Sequence, residues 1–239
     1  MATLVFGEEI VFIQRIRVRE TNCYLLRGEE GTVLVDPGPP GSGATVIAKA
    51  TEARAAPEDV RLILVSHGHL DHYGAAAEVQ AWCGAPVAAY QSEVAFSQDR
   101  RNALPPAQTV RGSLLRWFYL LWAPLAPFVP LEADHLLEDG ASLKPYGVDA
   151  RVLLVPGHSP GSLAVFTTDR DALVGDLFVN YAVPSQPIYL EDREAWQQSY
   201  ERLQSFQPRM VYPGHGEPFP GDKLTPIYPA RYQLAWWVR

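Results

Sequence analysis

Ser66-His67-Gly68-His69-Leu70-Asp71-His72 places three imidazoles and one carboxylate within six consecutive residues. Neutral imidazole nitrogens and carboxylate oxygens are ligands for a borderline divalent cation. A regular helix or strand would not aim all four side chains at one centre, whereas an irregular loop can. A purely structural role would need four polar side chains satisfied in one tight turn with no cation among them. The run Arg61-Leu62-Ile63-Leu64-Val65 just upstream reads as a buried strand, so the ligating loop leaves its carboxyl end. Open α/β folds place their sites at that end.

Similar groups recur downstream in stiff Gly/Pro settings. His158 lies in Pro156-Gly157-His158-Ser159-Pro160-Gly161-Ser162, and His215 in Tyr212-Pro213-Gly214-His215-Gly216. Between them Ala172-Leu173-Val174-Gly175-Asp176 reads as a strand ending in a carboxylate. Taken singly, His158 would pass for a core or capping histidine, and Asp176 and His215 for turn residues. The sixth histidine, His135, has no such context and reads as a surface or loop residue. Asp36, in Asp36-Pro37-Gly38, either orients a ligating imidazole through its second nitrogen or is a plain turn aspartate.

In chain order the motifs are HxHxDH, GHSPGS, GD and GHG, preceded by Asn22-Cys23-Tyr24-Leu25-Leu26 and Val33-Leu34-Val35-Asp36-Pro37-Gly38. This set resembles the metallo-β-lactamase superfamily over most of the chain. The resemblance implies an α/β fold built as a four-layer αββα sandwich. It implies one metal ion held by His67, His69 and His158, a second held by Asp71, His72 and His215, and Asp176 bridging the two. Two divalent ions are expected, zinc first, with iron, manganese or cobalt open because the set contains no thiolate. The implied enzyme is a hydrolase of an ester, lactone or thioester that uses a hydroxide held between the ions, with Asp71 and Asp176 as its catalytic carboxylates. The alternative is an iron-dependent oxidoreductase of the same fold, resembling sulfur dioxygenases. A non-catalytic binding module would be expected to have lost at least one ligand.

Departures from particular branches narrow the choice. Glyoxalase II resembles the chain in all four motifs but carries a long helical tail; here the residues after His215 offer one helix at Tyr228 to Trp237. Zinc β-lactamases lack the bridging aspartate that Asp176 would supply. The homoserine lactone lactonases share all seven ligands and place a substrate-holding tyrosine after that aspartate. Tyr181 is the candidate here, at a different spacing, and a packing role is an equal alternative for it.

The elements that must position these residues follow from periodicity. Strands are expected at Ile10 to Val18, Cys23 to Arg27, Thr32 to Asp36, Arg61 to Ser66 and Pro86 to Tyr90. A second set is expected at Arg151 to Val155, Leu163 to Thr167, Ala172 to Gly175 and Arg209 to Tyr212. Helices are expected at Gly43 to Ala55, Tyr73 to Trp82 and Asp192 to Phe206. Every candidate ligand then falls on a loop or at a strand end. With 239 residues and 47% hydrophobic content, the chain reads as one domain, 1–239.

An apolar insert at about 91–139 breaks the rhythm with Ser113-Leu114-Leu115-Arg116-Trp117-Phe118-Tyr119-Leu120-Leu121-Trp122 and then three prolines. It is shorter than the ~20 residues of a bilayer span, so no stable membrane insertion is expected. It reads as packing over the core or against a second subunit in a homodimer, as a lid carrying Trp117 and Trp122 into a substrate pocket, or as an interfacial helix.

The net charge of −7, with no basic run, lacks the footprint of a nucleic-acid binder and leaves a small-molecule substrate. The first residues lack the basic start and apolar stretch of a secretory signal. Cys23 and Cys83 are too few for a disulfide framework, so both are expected buried and reduced in a cytoplasmic protein.

Overall fold

Strands with apolar residues at successive positions can bury both faces of a sheet. The computed structural model describes residues 10–98, 107, 110–122 and 130–224. In it β2 (Thr21–Arg27), β3 (Thr32–Val35) and β4 (Val60–Leu64) are used in this way. Leu25, Leu34 and Ile63 point outward into a cluster with Val46 and Ala50 of α1 (Gly43–Glu52). The alternate residues Tyr24, Leu26, Val33, Val35, Leu62 and Leu64 turn inward. There they meet Val152 of β7 (Ala150–Leu154), Leu163 and Val165 of β8 (Leu163–Thr167) and Leu173 of β9 (Asp171–Asn180). On the far side, Leu153, Phe166 and Val174 pack under Trp196 and Leu203 of α6 (Arg193–Ser205). The order helix, sheet, sheet, helix is the αββα sandwich implied by the sequence motifs.

Strand order is β6-β5-β4-β3-β2-β10-β9-β8-β7, with β1 (Phe12–Val18) on β2 and β11 (Phe219–Pro220) on β10 (Met210–Gly216). Here β5 is Val87–Ala89 and β6 is His135–Leu136. The two halves join through an antiparallel bridge between His215 and Thr21. β3 and β4 are parallel, as are β9 and β10. The segments that follow β3 and β4 therefore leave the sheet side by side, one carrying Asp36 and the other His67 to His72.

Three expected boundaries differ, the first at β10, which runs past its expected end at Tyr212 to Gly216 and so takes His215 into a strand rather than a loop. The helix expected from Tyr73 to Trp82 is broken into a single turn, α2 (Leu70–Tyr73), and α3 (Ala76–Cys83). The break has a steric cause: a Cβ at Gly74 would lie 2.3 Å from Pro40 Cδ and 2.5 Å from the Leu70 carbonyl oxygen. The Asp36–Pro40 turn is wedged against the helix there. Gly38 N–H donates to the His72 carbonyl, and Ala75 N–H donates to the Gly38 carbonyl, both at 2.9 Å. β9 also runs past its expected end at Gly175 to Asn180, so Asp176 sits inside a strand rather than at its terminus. Gly175 takes φ +51°, and the β9–β10 register shifts at Pro213 and again before His215, which turns the chain without ending the ladder.

Of the insert, the structure describes α4 (Gln91–Ser97), α5 (Val110–Trp122) and residue 107. Residues 99–106, 108–109 and 123–129 of it, and the tail helix expected at Tyr228 to Trp237, lie outside the described residues. α5 presents Val110, Leu114, Trp117 and Leu121 to solvent. No helix among the described residues is long and apolar enough to cross a membrane. Cys23 is buried and unpaired as expected, but Cys83, at the end of α3, is only partly buried.

Candidate metal centre

The HxHxDH segment is shaped by Asp36. This residue is buried and holds φ +57°, a left-handed conformation that aspartate tolerates better than most residues. Its Oδ1 accepts the Ser66 N–H at 2.7 Å and its Oδ2 accepts the Ser66 hydroxyl at 2.7 Å. The same Oδ2 lies 2.9 Å from His72 Nδ1. Because Ser66 Oγ donates to Asp36, its lone pair receives His67 Nδ1–H at 2.9 Å. One carboxylate thus orients His72 directly and His67 through Ser66. His72 stands on the α2 turn, and Thr21 Oγ1 donates to Asp71 Oδ2 at 3.3 Å.

The remaining three residues arrive from the second half. His158 sits in a turn whose Gly157 has φ +132° and where a Cβ would come within 2.4 Å of Trp196 Cα, so α6 closes directly on the turn. His158 Nδ1–H donates to the Tyr189 carbonyl at 2.9 Å. His215 Nδ1–H donates to the Glu20 carbonyl at 2.8 Å. A Cβ at Gly214 would lie 2.4 Å from Asp176 Oδ1 and 2.6 Å from His72 Cε1. Glycine there leaves the space that the carboxylate occupies.

The seven side chains meet at one place. His67, His69 and His158 form one group with ligand atoms within 4.8 Å of one another, and Asp71, His72 and His215 form another. Asp176 faces both groups: its Oδ2 is 3.5 Å from His158 Nε2 and 3.3 Å from His215 Nε2, and its Oδ1 is 3.5 Å from His72 Nε2.

The donor set fits a cation. His67, His72, His158 and His215 each spend one ring N–H on an outward partner, which leaves the other nitrogen as a bare lone pair turned inward. His67 Nε2, His69 Nε2 and Asp176 Oδ1 are buried with no hydrogen-bond partner among the described residues. His69 Nδ1 and His158 Nε2 lie 2.9 Å apart, and His72 Nε2 and His215 Nε2 lie 3.3 Å apart. Lone pairs brought together in this way repel unless a proton or metal ion lies among them.

Charge separates the two groups. Burial pushes His67, His69 and His158 below the ordinary imidazole range, toward the neutral form that a metal requires. Burial also opposes charge on His72, but Asp71, Asp176 and Asp36 overcome it and raise His72 to about 9. His215 is likewise raised, with Asp176 the largest contributor against its burial. Burial works against ionisation of Asp71 and Asp176 too. The adjacent His72 and His215 nonetheless hold both carboxyls well below the usual carboxylate range.

A cavity of about 230 Å³ opens onto the cluster, walled by Val179, Tyr181, Pro187, Ile188 and Tyr189. Tyr181 therefore stands beside the site, its ring 6.3 Å from that of His215. Trp117 does not line this cavity and is 64% exposed on α5; the Trp122 side chain lies outside the described residues. The insert reaches the cavity wall through its backbone instead. Ala107 bridges to Tyr189, and the Tyr189 hydroxyl points at the Gly112 carbonyl at 3.5 Å. His135 is exposed on β6 and belongs to none of the ligand groups. Sequence reading missed Ser66, Glu93 and the Tyr189 carbonyl. Ser66 directly precedes the motif and was findable by its hydroxyl, whereas the other two carry no local signal.

The class of protein follows from this fold and cluster together. The sequence profile of the metallo-β-lactamase superfamily matches residues 16–215, and the chain belongs to that superfamily. Among its relatives, the probable metallo-hydrolase YflN of Bacillus subtilis (strain 168) is 25% identical over 230 residues, 89% of this chain and 86% of its own. Hydroxyacylglutathione hydrolase GloC of Haemophilus influenzae is 25% identical over 166 residues, 66% of each chain. TTHA1623, solved in a di-iron-bound form, is 27% identical with a TM-score of 0.65, covering 91% of this chain and 98% of its own.

Asp36→Asn is expected to weaken metal binding by about 10- to 100-fold, because the amide cannot accept from Ser66 and His72 together. Metal retained against a graded series of chelator concentrations checks this. Unchanged retention would show that Asp36 only forms a turn.

Proposed function

We propose that the chain is a metal-dependent hydrolase of a small acyl ester, lactone or thioester, acting as one domain in the cytoplasm. His67, His69 and His158 would hold one divalent ion, Asp71, His72 and His215 would hold the second, and Asp176 would serve both. The observation that carries this reading is the convergence of inward-facing imidazole nitrogens and two carboxylates on the floor of a cavity with largely apolar walls. When bound there, a pair of divalent cations supplies Lewis-acid polarisation of a carbonyl and a water acidic enough to ionise near neutral pH.

The chain's own residues do the rest. Val179, Pro187 and Ile188 receive the acyl portion and exclude water from it. Tyr181, whose hydroxyl burial keeps protonated, donates a hydrogen bond to the substrate carbonyl. Asp71, 45% exposed and lining the cavity, orients the attacking water, whose proton passes to the departing oxygen or sulfur. A C–O bond to the water forms, and the acyl C–O or C–S bond breaks.

Zinc is the first choice of metal. The relative named as a hydroxyacylglutathione hydrolase favours a thioester among the three substrate classes. A second reading, iron-dependent oxidation, draws on the di-iron form of TTHA1623. Elemental analysis of protein purified without chelator, followed by lactone, ester and thioester panels, separates the two. Two equivalents of metal with acyl hydrolysis are expected. A stoichiometry that stays at one after zinc, manganese or iron is supplied would sink the two-ion reading, and one iron per chain with oxygen consumption on a persulfide would favour the dioxygenase-like oxidoreductase.

Tyr181→Phe should raise KM or lower kcat by about 10-fold, the worth of one hydrogen bond to substrate. Steady-state kinetics on the best substrate would show this. No change would assign Tyr181 to packing.

A further inference from the structure

We propose that Glu93 is a positioning residue for the metal centre, its buried carboxylate joining the loop that carries His67 and His69 to the loop that carries His158. This rests on the reading of those histidines as metal ligands. Glu93 lies on α4, inside the segment that departs from the strand rhythm of the rest of the chain, and its side chain is fully buried. Oε2 accepts the Gly68 N–H at 2.6 Å, and Oε1 accepts the Gly161 N–H at 2.5 Å.

The two amides belong to opposite halves of the fold. Gly68 stands between His67 and His69, and Gly161 lies in the turn after His158. A buried carboxylate is costly unless its lone pairs are taken up, and here each oxygen is taken up by a different ligand loop. Both contacts require glycine. A Cβ at residue 68 would come within 2.8 Å of the Glu93 carbonyl oxygen and 3.1 Å of Oε2. One at 161 would come within 2.3 Å of Ser92 Oγ and 3.1 Å of Glu93 Oε1. α4 makes a further contact through Phe96, whose ring lies edge-on to His69 at 5.7 Å. The result is a preset separation of the His69 and His158 rings, 4.6 Å between centroids. A preformed site loses less conformational freedom when its ligand binds.

Co2+ titration of the metal-free full chain, read by visible absorption, tests this with Glu93→Gln and Glu93→Asp. The amide of Gln keeps the volume but offers one accepting oxygen for two N–H donors, and Asp is one methylene too short to reach both. The binding phase that His158→Ala abolishes should weaken by about 10- to 100-fold in both variants, while the other phase shifts by roughly threefold or less. Turnover should return as Co2+ is raised, with KM unchanged. Equal weakening of both phases, or of neither, overturns the proposal. A wild-type chain that takes up no Co2+ defeats the metal reading itself, before any variant is compared.

If the variants do not fold, amide hydrogen exchange on the wild-type chain decides. The Gly68 and Gly161 amides should be protected without metal; exchange at the rate of an open loop overturns the proposal.

Discussion

Asp176→Ala should lower kcat by about 10³-fold or more while the protein still folds, since removing even one preorganised polar group from a reacting centre commonly costs 10²–10³. Asp176 reaches His72, His158 and His215 together, at 3.3–3.5 Å. Its Oδ1 has no hydrogen-bond partner among the described residues. Among the described residues Asp176 is the carboxylate whose oxygens face both ligand groups, so on the two-ion reading the change removes the shared ligand and the spacing it sets. The fold should survive, because the hydrophobic clusters on either side of the sheets do not include Asp176. The check is kcat measured alongside metal content and far-UV circular dichroism. His135→Ala, exposed on β6, serves as control and should leave the rate within about twofold, as surface substitutions usually do. If the control proves as damaging as Asp176→Ala, the ligand assignment is wrong.

The second large effect is stabilisation by metal, and its dependence on pH. Saturating Zn2+ at about 1,000 times its Kd adds roughly 4 kcal/mol per site, seen as a higher Tm. The increment should grow as pH rises from about 6.5 to 9. His72 is raised from 6.5 to about 9 in the metal-free fold. Its protonation therefore stabilises the metal-free protein fully below pH 6.5, and that contribution is lost as pH rises through 9. Over the same window a metal ion no longer has to displace the proton, so apparent affinity climbs by up to about tenfold per pH unit. Toward acid pH the depressed Asp71 and Asp176 retain their charge, so competition comes from protonated imidazoles. Differential scanning fluorimetry with and without Zn2+ across pH 6–9 measures the increment. A flat or falling increment would place the bound metal away from His72.

What the sequence determines by itself is the chemistry and its order along the chain. His67, His69, Asp71 and His72 declare a metal loop by type and spacing, because ligands crowded into one turn have few other uses. Leu62, Ile63 and Leu64 declare a strand buried on both faces, because local periodicity reflects which sides of the strand meet apolar neighbours. The tertiary structure alone decides how these pieces hold one another. It extends β9 past Asp176, since the kink at Gly175 depends on pairing with β10. It leaves Gly214 no room for a side chain, since Asp176 and His72 fill that space. It ties Asp36 to Ser66 and His72, and Glu93 to Gly68 and Gly161. It also keeps Trp117 out of the described cavity wall and brings Tyr189 there, with its carbonyl on His158. Each of these is a contact between residues tens of positions or more apart. Nothing in a local pattern of polarity or spacing specifies which backbone amide or carbonyl a buried side chain will meet across the fold.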